Sequence, residues 1–582
     1  MVHHYQSTLD LERALGDPFG SSSQFSFQDV VAWDEAESYP GPLCDMLNSW
    51  GLPAFYVPKN SGGRLNSHQE LLSLIRSVSR RDLTAAVAHG KSFLGSLPVW
   101  IAGTQPQAAR LAQIVRTGGQ VALGLTEPGH GTDLLAIETE IRQEPLGESL
   151  HGCKWLVNNA TRSRAMVVLA KAVQLSGPRS LSFLLIDKTN YETAQLQPLP
   201  RIRTLGLRGA DISGLVFNGL SITQNEYVGN RGTALDTILR VLQVSRTVCA
   251  AMSLGVADTA LRTALTFATG RHIYNKTVLD LSSVQRGLVN AFADLLACEC
   301  VVISTGRTID ASPRELNYRS AIAKAFVPET TDVILRYLAR IIGARFYLRE
   351  GLLSGIFQKM LRDHAAVGMF DGSTTVNLEL LAFQLHHLLR EPDEPEQNRE
   401  DKLRAVFDLS QPLDPMNYAP LTITKITSDA VLTGLGGITN ALDNALCTID
   451  PEVAAVIRCS GSALDHALRE MRTDLPTHLE LESGRAPVRL LDMAEHYLNL
   501  HAAAVCLRFW VWNRSKLGPF FSEGTWLAFV LPRLLSRRLP HRPSDAVRSH
   551  CEKSLIKELL RRFNDNCSFS IIPMDFRQEA YA

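Results

Sequence analysis

The chain has 582 residues, 45% hydrophobic and 20% charged, and its 59 Lys+Arg balance its 59 Asp+Glu to zero formal charge. That balance excludes nucleic acid as the main partner, because neutralising phosphates needs a basic surplus. The apolar content suffices for large cores, and length alone predicts about four domain-sized units.

The 10 Cys have neither disulfide nor zinc-knuckle spacing, even at Cys298 and Cys300, so reduced thiols and no metal site are expected. The start, Met1 to Gln6, lacks the charged-then-apolar order of a secretory signal. No uninterrupted apolar run reaches bilayer length, so a cytoplasmic chain without a membrane partner is expected.

Residues 1–24 are polar and Ser-rich at Ser21 to Ser23, which predicts a loose leader. Residues 25–120 read as helical. Leu43, Met46 and Leu47 share a face that ends at Trp50-Gly51-Leu52-Pro53, and Leu71, Leu72, Ile75 and Val78 restore the helical spacing. Ala85 to Leu97 reads as a buried helix of small residues, and no charged cluster in this segment suggests chemistry.

Residues 121–230 change period. Val167 to Ala170, Ser182 to Ile186 and Gly214 to Phe217 are short β-rich runs separated by turns such as Ser176-Gly177-Pro178. The helical period returns over 231–390, with Ala251, Leu254, Ala257, Leu261 and Leu265 on one face. The acidic, Pro-containing stretch 391–401 reads as a linker, and 402–582 as a further helical unit. The fold class is therefore α+β and mainly α, neither doubly wound nor a barrel.

One stretch stands out, Leu123-Gly-Leu-Thr-Glu-Pro-Gly-His-Gly-Thr-Asp133. A strand-like start stops at Pro128-Gly129, and the glycines permit a tight turn whose N–H groups can face an anion or a flat polar ring. An ordinary strand-exit loop accounts for the same residues. This stretch resembles the Thr-Glu-Pro-Gly-x-Gly-Ser/Thr-Asp signature of the acyl-CoA dehydrogenases. Further matches occur in family order over about 25–388: Lys154-Trp155-Leu156-Val157-Asn158-Asn159, Leu205-Gly206-Leu207-Arg208-Gly209, Arg271 to Lys276, Arg362-Asp363 and Phe370-Asp371-Gly372-Ser373.

The resemblance implies an N-terminal helical domain, a small β-domain and a helical bundle, followed by a helical extension as in larger members. It implies bound FAD. Leu125, Thr126, Gly131 and Thr132 would hold the flavin and pyrophosphate, and Trp155 would lie at the isoalloxazine edge, although a core tryptophan is the alternative. Arg271 would reach FAD in a neighbouring subunit, which implies a homodimer or homotetramer, and Tyr274, Gly343, Ser373 and Thr375 belong to the same cofactor set. Thr132, Arg246 and Gly372 would face the substrate, and Arg246 is otherwise a helix-surface charge.

The implied reaction is α,β-dehydrogenation of an acyl thioester on coenzyme A or an acyl-carrier protein, with a flavoprotein or oxygen as electron acceptor. Asp371 occupies the position of the base, usually a glutamate, and burial is expected to raise its pKa toward neutrality. The alternative base position is Ser245. Val157 replaces the threonine that usually faces flavin N5, and Ile341 to Phe346 keeps only Gly343 and Phe346 of a family glycine motif. These departures leave open a different flavin-dependent oxidation, or a non-catalytic acyl- or partner-binding role. Residues 533–562 hold a basic surplus that reads either as a docking face or as a solvated helix.

Overall fold

The computed structural model describes residues 5–19, 25–145, 147–391, 395–413, 415–423, 428–475, 486–535 and 543–576. Helices α1 (Gln6–Leu15), α2 (Phe27–Glu35), α3 (Gly41–Trp50), α4 (His68–Arg81), α5 (Leu83–Ala102) and α6 (Gln105–Arg116) come first. Local sequence sets their ends. Ser26 and Asp29 form a capping box on α2, Thr104 and Gln107 one on α6, and the Asp82 carboxylate accepts the N–H groups of Thr84 and Ala85 at the start of α5.

The leader expectation is corrected here. Residues 6–15 form α1, which buries Leu11 and Leu15 and hydrogen-bonds to α4 through Ser7–Glu70 and Thr8–Ser73. Its few apolar residues fall on one face, and a partner helix makes that face worth burying. Ser21 to Ser23 lie outside the described residues.

Eight strands come next: β1 (Val121–Gly124), β2 (Glu140–Glu144), β3 (Gly147–Asn158), β4 (Ala165–Ala172), β5 (Leu181–Asp187), β6 (Leu196–Leu199), β7 (Ile212–Ile222) and β8 (Tyr227–Val228). They make one sheet in the order β6-β7-β3-β2-β4-β5-β8, with β1 parallel to β4. The three expected β-runs fall inside β4, β5 and β7. Gly95 lets α5 lie against β1, since a Cβ there would stand 2.4 Å from the Val121 carbonyl oxygen.

The bundle is α7 (Ala234–Gly270), α8 (Ser282–Ala311), α9 (Leu316–Ile342), α10 (Ile356–His364) and α11 (Thr374–Leu388). Helices α7 and α8 are long and apolar enough to cross a bilayer, yet their apolar windows are 100% and 83% buried inside the protein. They are core helices.

Helices α12 (Glu396–Phe407), α13 (Ala430–Thr433), α14 (Thr439–Leu446), α15 (Pro451–Asp474), α16 (Val488–Asn513), α17 (Pro519–Ser522), α18 (Thr525–Leu534) and α19 (Asp545–Asn564) complete the chain. The linker expectation is corrected in part. Residues 396–401 begin α12, whose later turns bury Leu403, Val406 and Phe407. The extension docks through buried polar groups. Arg307 of α8 donates to the carbonyls of Ala405, Val406, Asp408 and Gln411, and Asp429 accepts from Tyr497 and pairs with His501.

The basic stretch near the end is largely spent on internal pairs, Arg533 with Asp294, Arg548 with Glu552, and Arg561 and Arg562 with Glu558. Arg537, Arg538 and Arg542 lie outside the described residues.

Three separated segments meet at Lys359 of α10. Its Nζ lies 2.6 Å from Asp82 Oδ1, 2.5 Å from Asp363 Oδ2 and 3.1 Å from Thr84 Oγ1. Asp363 Oδ1 also accepts the Leu207 N–H at 2.6 Å, and a Cβ on Gly206 would stand 2.3 Å from the Arg362 carbonyl oxygen. Lys359→Met leaves two carboxylates buried together without their cation. Urea unfolding is expected to show a loss of about 3–5 kcal/mol, and a loss below about 1 kcal/mol would deny the cluster its structural role.

Candidate active site

The glycine-rich turn leaves the sheet at the end of β1, and an ion pair that the sequence motif does not announce fixes its shape. Glu127 accepts the N–H groups of Glu138 and Thr139 and pairs with Lys154 at 2.7 Å, while Lys154 also donates to the Leu125 carbonyl at 3.0 Å. Burial lowers the Lys154 pKa to about 8, and Lys154 in turn outweighs burial at Glu127 and holds its carboxyl below the usual range. Both groups are charged at neutral pH.

Trp155 is pinned to the turn, its N–H donating to the Thr126 carbonyl at 3.0 Å and its carbonyl accepting from Thr126 Oγ1 at 2.6 Å. Its ring is half-buried and belongs to neither apolar core, so the core-tryptophan alternative does not hold. Among the described residues, the N–H groups of Thr126, Gly131 and Thr132 have no acceptor, and Gly131 and Thr132 are exposed. The buried amide of Asn158 also lacks a partner for both its oxygen and its nitrogen. Free N–H donors, an unpacked indole and an orphaned amide on one turn and its neighbouring strand fit a flat polar cofactor.

Val157 departs from its expected role. It is 2% exposed and packs in the core of the sheet domain rather than being presented at the surface. Leu156, at φ 57°, forms a bulge and is the exposed residue instead. A period-2 reading missed this because one extra residue in a strand reverses the facing of every later residue.

The remaining cofactor candidates are dispersed over the surface of the chain. Arg271 is exposed at the end of α7, Tyr274 is 90% exposed, and Gly343 is exposed at the end of α9. Ser373 caps α11 by accepting the Val376 N–H, with Thr375 exposed in the first turn.

Asp371 lies between α10 and α11 with φ 57°, followed by Gly372 at φ 96°, and its side chain is only 13% exposed. Its oxygens are 3.1 and 3.2 Å from Lys91 Nζ of α5, and Cys249 Sγ of α7 donates to it at 3.3 Å. Lys91 also stands 4.4 Å from the centre of the Phe370 ring. Lys324 of α9 faces the same group from farther off and donates to the Val367 carbonyl at 2.6 Å.

The expectation of a raised pKa is therefore overturned. Burial pushes the Asp371 carboxyl up, but the Lys91 ammonium and the hydrogen bonds from Lys91 and Cys249 more than offset it and leave it below the usual range. Burial pushes the Cys249 thiol up to about 12, so it stays neutral.

Arg246 is 5% exposed, and burial lowers its pKa to about 10. Its Nε has no hydrogen-bond partner, and a Cβ on Gly372 would stand 3.5 Å from its Nη2. It is an interior charge beside the base position, not a helix-surface one. Ser245 donates to the Leu242 carbonyl and offers no second base.

Lys91, Cys249 and Lys324 were missed by sequence reasoning, which saw no charged chemistry in the N-terminal helices. One signal was available: Lys91 is the only charged side chain in the small-residue run Ala85 to Leu97.

Residues 122–220 match the acyl-CoA dehydrogenase middle domain and residues 231–386 the acyl-CoA dehydrogenase C-terminal domain. Through these two matched domains the chain resembles the acyl-CoA dehydrogenases. It is 23% identical over 379 residues to a 3-(aryl)acrylate reductase of Clostridium sporogenes, a match spanning 65% of this chain and 98% of that protein. Butyryl-CoA dehydrogenase from Megasphaera elsdenii superposes with a TM-score of 0.60 at 20% identity, covering 65% of this chain and 98% of its own. An acyl-CoA dehydrogenase from Bacillus anthracis, solved in complex with FAD, has a TM-score of 0.69 at 16% identity and covers 97% of this chain and 95% of its own. The fold of the C-terminal extension thus recurs in a solved structure.

Replacing Lys91 tests the electrostatics. An unfolded aspartate titrates near about 3.9, so the contribution of the pair is complete above that pH and is lost as pH falls through the lower folded value. In Lys91→Met burial loses its main opponent and Asp371 should protonate at higher pH than in the parent. Infrared titration of the carboxyl band, assigned by difference against Asp371→Asn, reads this directly, and an unmoved midpoint would show that Lys91 does not control Asp371.

Proposed function

We propose that this chain catalyses α,β-dehydrogenation of an acyl thioester, carried on coenzyme A or an acyl-carrier protein, with FAD as cofactor and Asp371 as the group that removes the α-proton. The single observation that carries the reading is a buried carboxylate at a positive-φ apex, lined by side chains from three helices, at the position where the family bears its base. An aspartate tolerates that backbone conformation better than most residues, and strained residues of this kind cluster at functional sites.

FAD, when bound, supplies the acceptor for the substrate's β-hydride. The N–H groups of Thr126, Gly131 and Thr132 would hold it, with the Trp155 ring beside it and Ser373, Thr375 and Gly343 as further contacts. Arg246 and Gly372 flank the base, where the thioester end of the substrate would be oriented. Asp371 takes the α-proton onto a carboxylate oxygen that Lys91 occupies in the resting protein, so the ammonium must withdraw before the proton moves. Once it withdraws, burial acts on Asp371 with less opposition and raises its basicity.

The test is the flavin spectrum of the purified chain and its anaerobic bleaching by a panel of acyl thioesters. Asp371→Asn should keep the flavin and slow bleaching by about 10²–10⁴-fold; unchanged bleaching would remove Asp371 from the mechanism. Exposed Arg271 and Tyr274 support a second reading of the assembly, in which they complete the cofactor site of a neighbouring copy. Light scattering is expected to give a dimer or tetramer, and a monomeric flavin-loaded protein would refute that arrangement.

A further inference from the structure

The interior around Asp371 is out of charge balance. From α5 comes Lys91, from α7 Arg246 and from α9 Lys324, and these three cations face one carboxylate. Cys249 is the other titratable group in contact and contributes no charge. Lys91 is occupied by Asp371 and Lys324 by the Val367 carbonyl, but the Arg246 guanidinium is 5% exposed with its Nε unpartnered. A buried donor without an acceptor is costly, as is a local excess of buried positive charge, and a ligand anion would relieve both. The cavity beside Asp371, lined by Gly90, Lys91, Leu94, Val248, Cys249 and Phe370, has a volume of about 10 Å³. That is about one water, far too little for an acyl chain, so the chain enters only if Lys91 swings away.

We propose that the acyl group accepted here carries a second carboxylate, which takes Lys91 as its partner and so releases Asp371. A neutral acyl chain would have to break the Lys91–Asp371 pair and leave the ammonium without a replacement anion. A cationic chain, such as an aminoacyl thioester, would meet three like charges. An acidic chain exchanges one ion pair for another and corrects the surplus. Substrate selection and base activation then become the same event. The inference rests on Asp371 acting as the α-proton base; the dehydrogenation step itself is unaltered.

The experiment uses the full flavin-loaded chain. Anaerobic bleaching is measured with succinyl-, glutaryl- and adipyl-CoA, each beside its neutral methyl ester, and with prolyl-CoA as the cationic probe. For at least one chain length the free acid should exceed its ester in kcat/KM by about tenfold or more, because a site with unpaired polar groups rejects an analogue that cannot pair them. Prolyl-CoA should be slowest. High salt and Lys91→Met should each narrow the acid-to-ester ratio, and the comparison on the parent protein stands even if the variant fails to fold.

If every ester matches or beats its acid while bleaching occurs, the acidic-substrate inference is overturned and the dehydrogenase reading stands. If no thioester of any charge bleaches the flavin, the dehydrogenase reading fails and takes the inference with it.

Discussion

The site depends on one buried cation, Lys359, held between Asp82 and Asp363. Asp82 begins α5, the helix that carries Lys91; Asp363 ends α10, whose next loop carries Asp371; and Asp363 also fixes the Leu207 turn of the sheet domain. Removing one partner from charges so deeply buried is strongly destabilising, which ties the helix, the loop and the sheet together at one point. Gly95 then brings α5 against β1, so the strand that leads into the glycine-rich turn is anchored to the helix that supplies Lys91. The glycine-rich turn and the Asp371 loop are registered to each other by packing that neither motif contains.

Two ion pairs within this frame serve different ends. Glu127 and Lys154 lock the turn, leaving N–H groups of Thr126, Gly131 and Thr132 pointed away from the protein's own acceptors. Lys91 and Asp371 instead meet beside a small cavity, and Lys91 holds the carboxyl below its usual pKa range. The first pair has no reason to break. In the proposed reaction the second must break for proton transfer, and the buried Arg246 beside it has an unpartnered Nε.

Two of the matched motifs are architectural. Leu205 to Gly209 and Arg362-Asp363 meet each other, Gly206 giving the close backbone approach and Asp363 the hydrogen bond. Arg362 reaches Asp34 of α2 at 2.5 Å. Trp155, by contrast, reads from composition as core and stands outside both cores.

The sequence by itself determined the order of helical, β and helical segments, the turn at Thr126 to Asp133 and the position of Asp371, because short-range periodicity and contiguous motifs carry those features. Tertiary structure alone decided that the Ser-rich start contains a docked helix, that Val157 faces inward and that Asp371 is held by Lys91, a residue 280 positions away. A carboxylate's basicity is set by the charges and burial around it, and those come from helices far apart in the chain. The pattern of residues could single out Asp371 but not its state of charge.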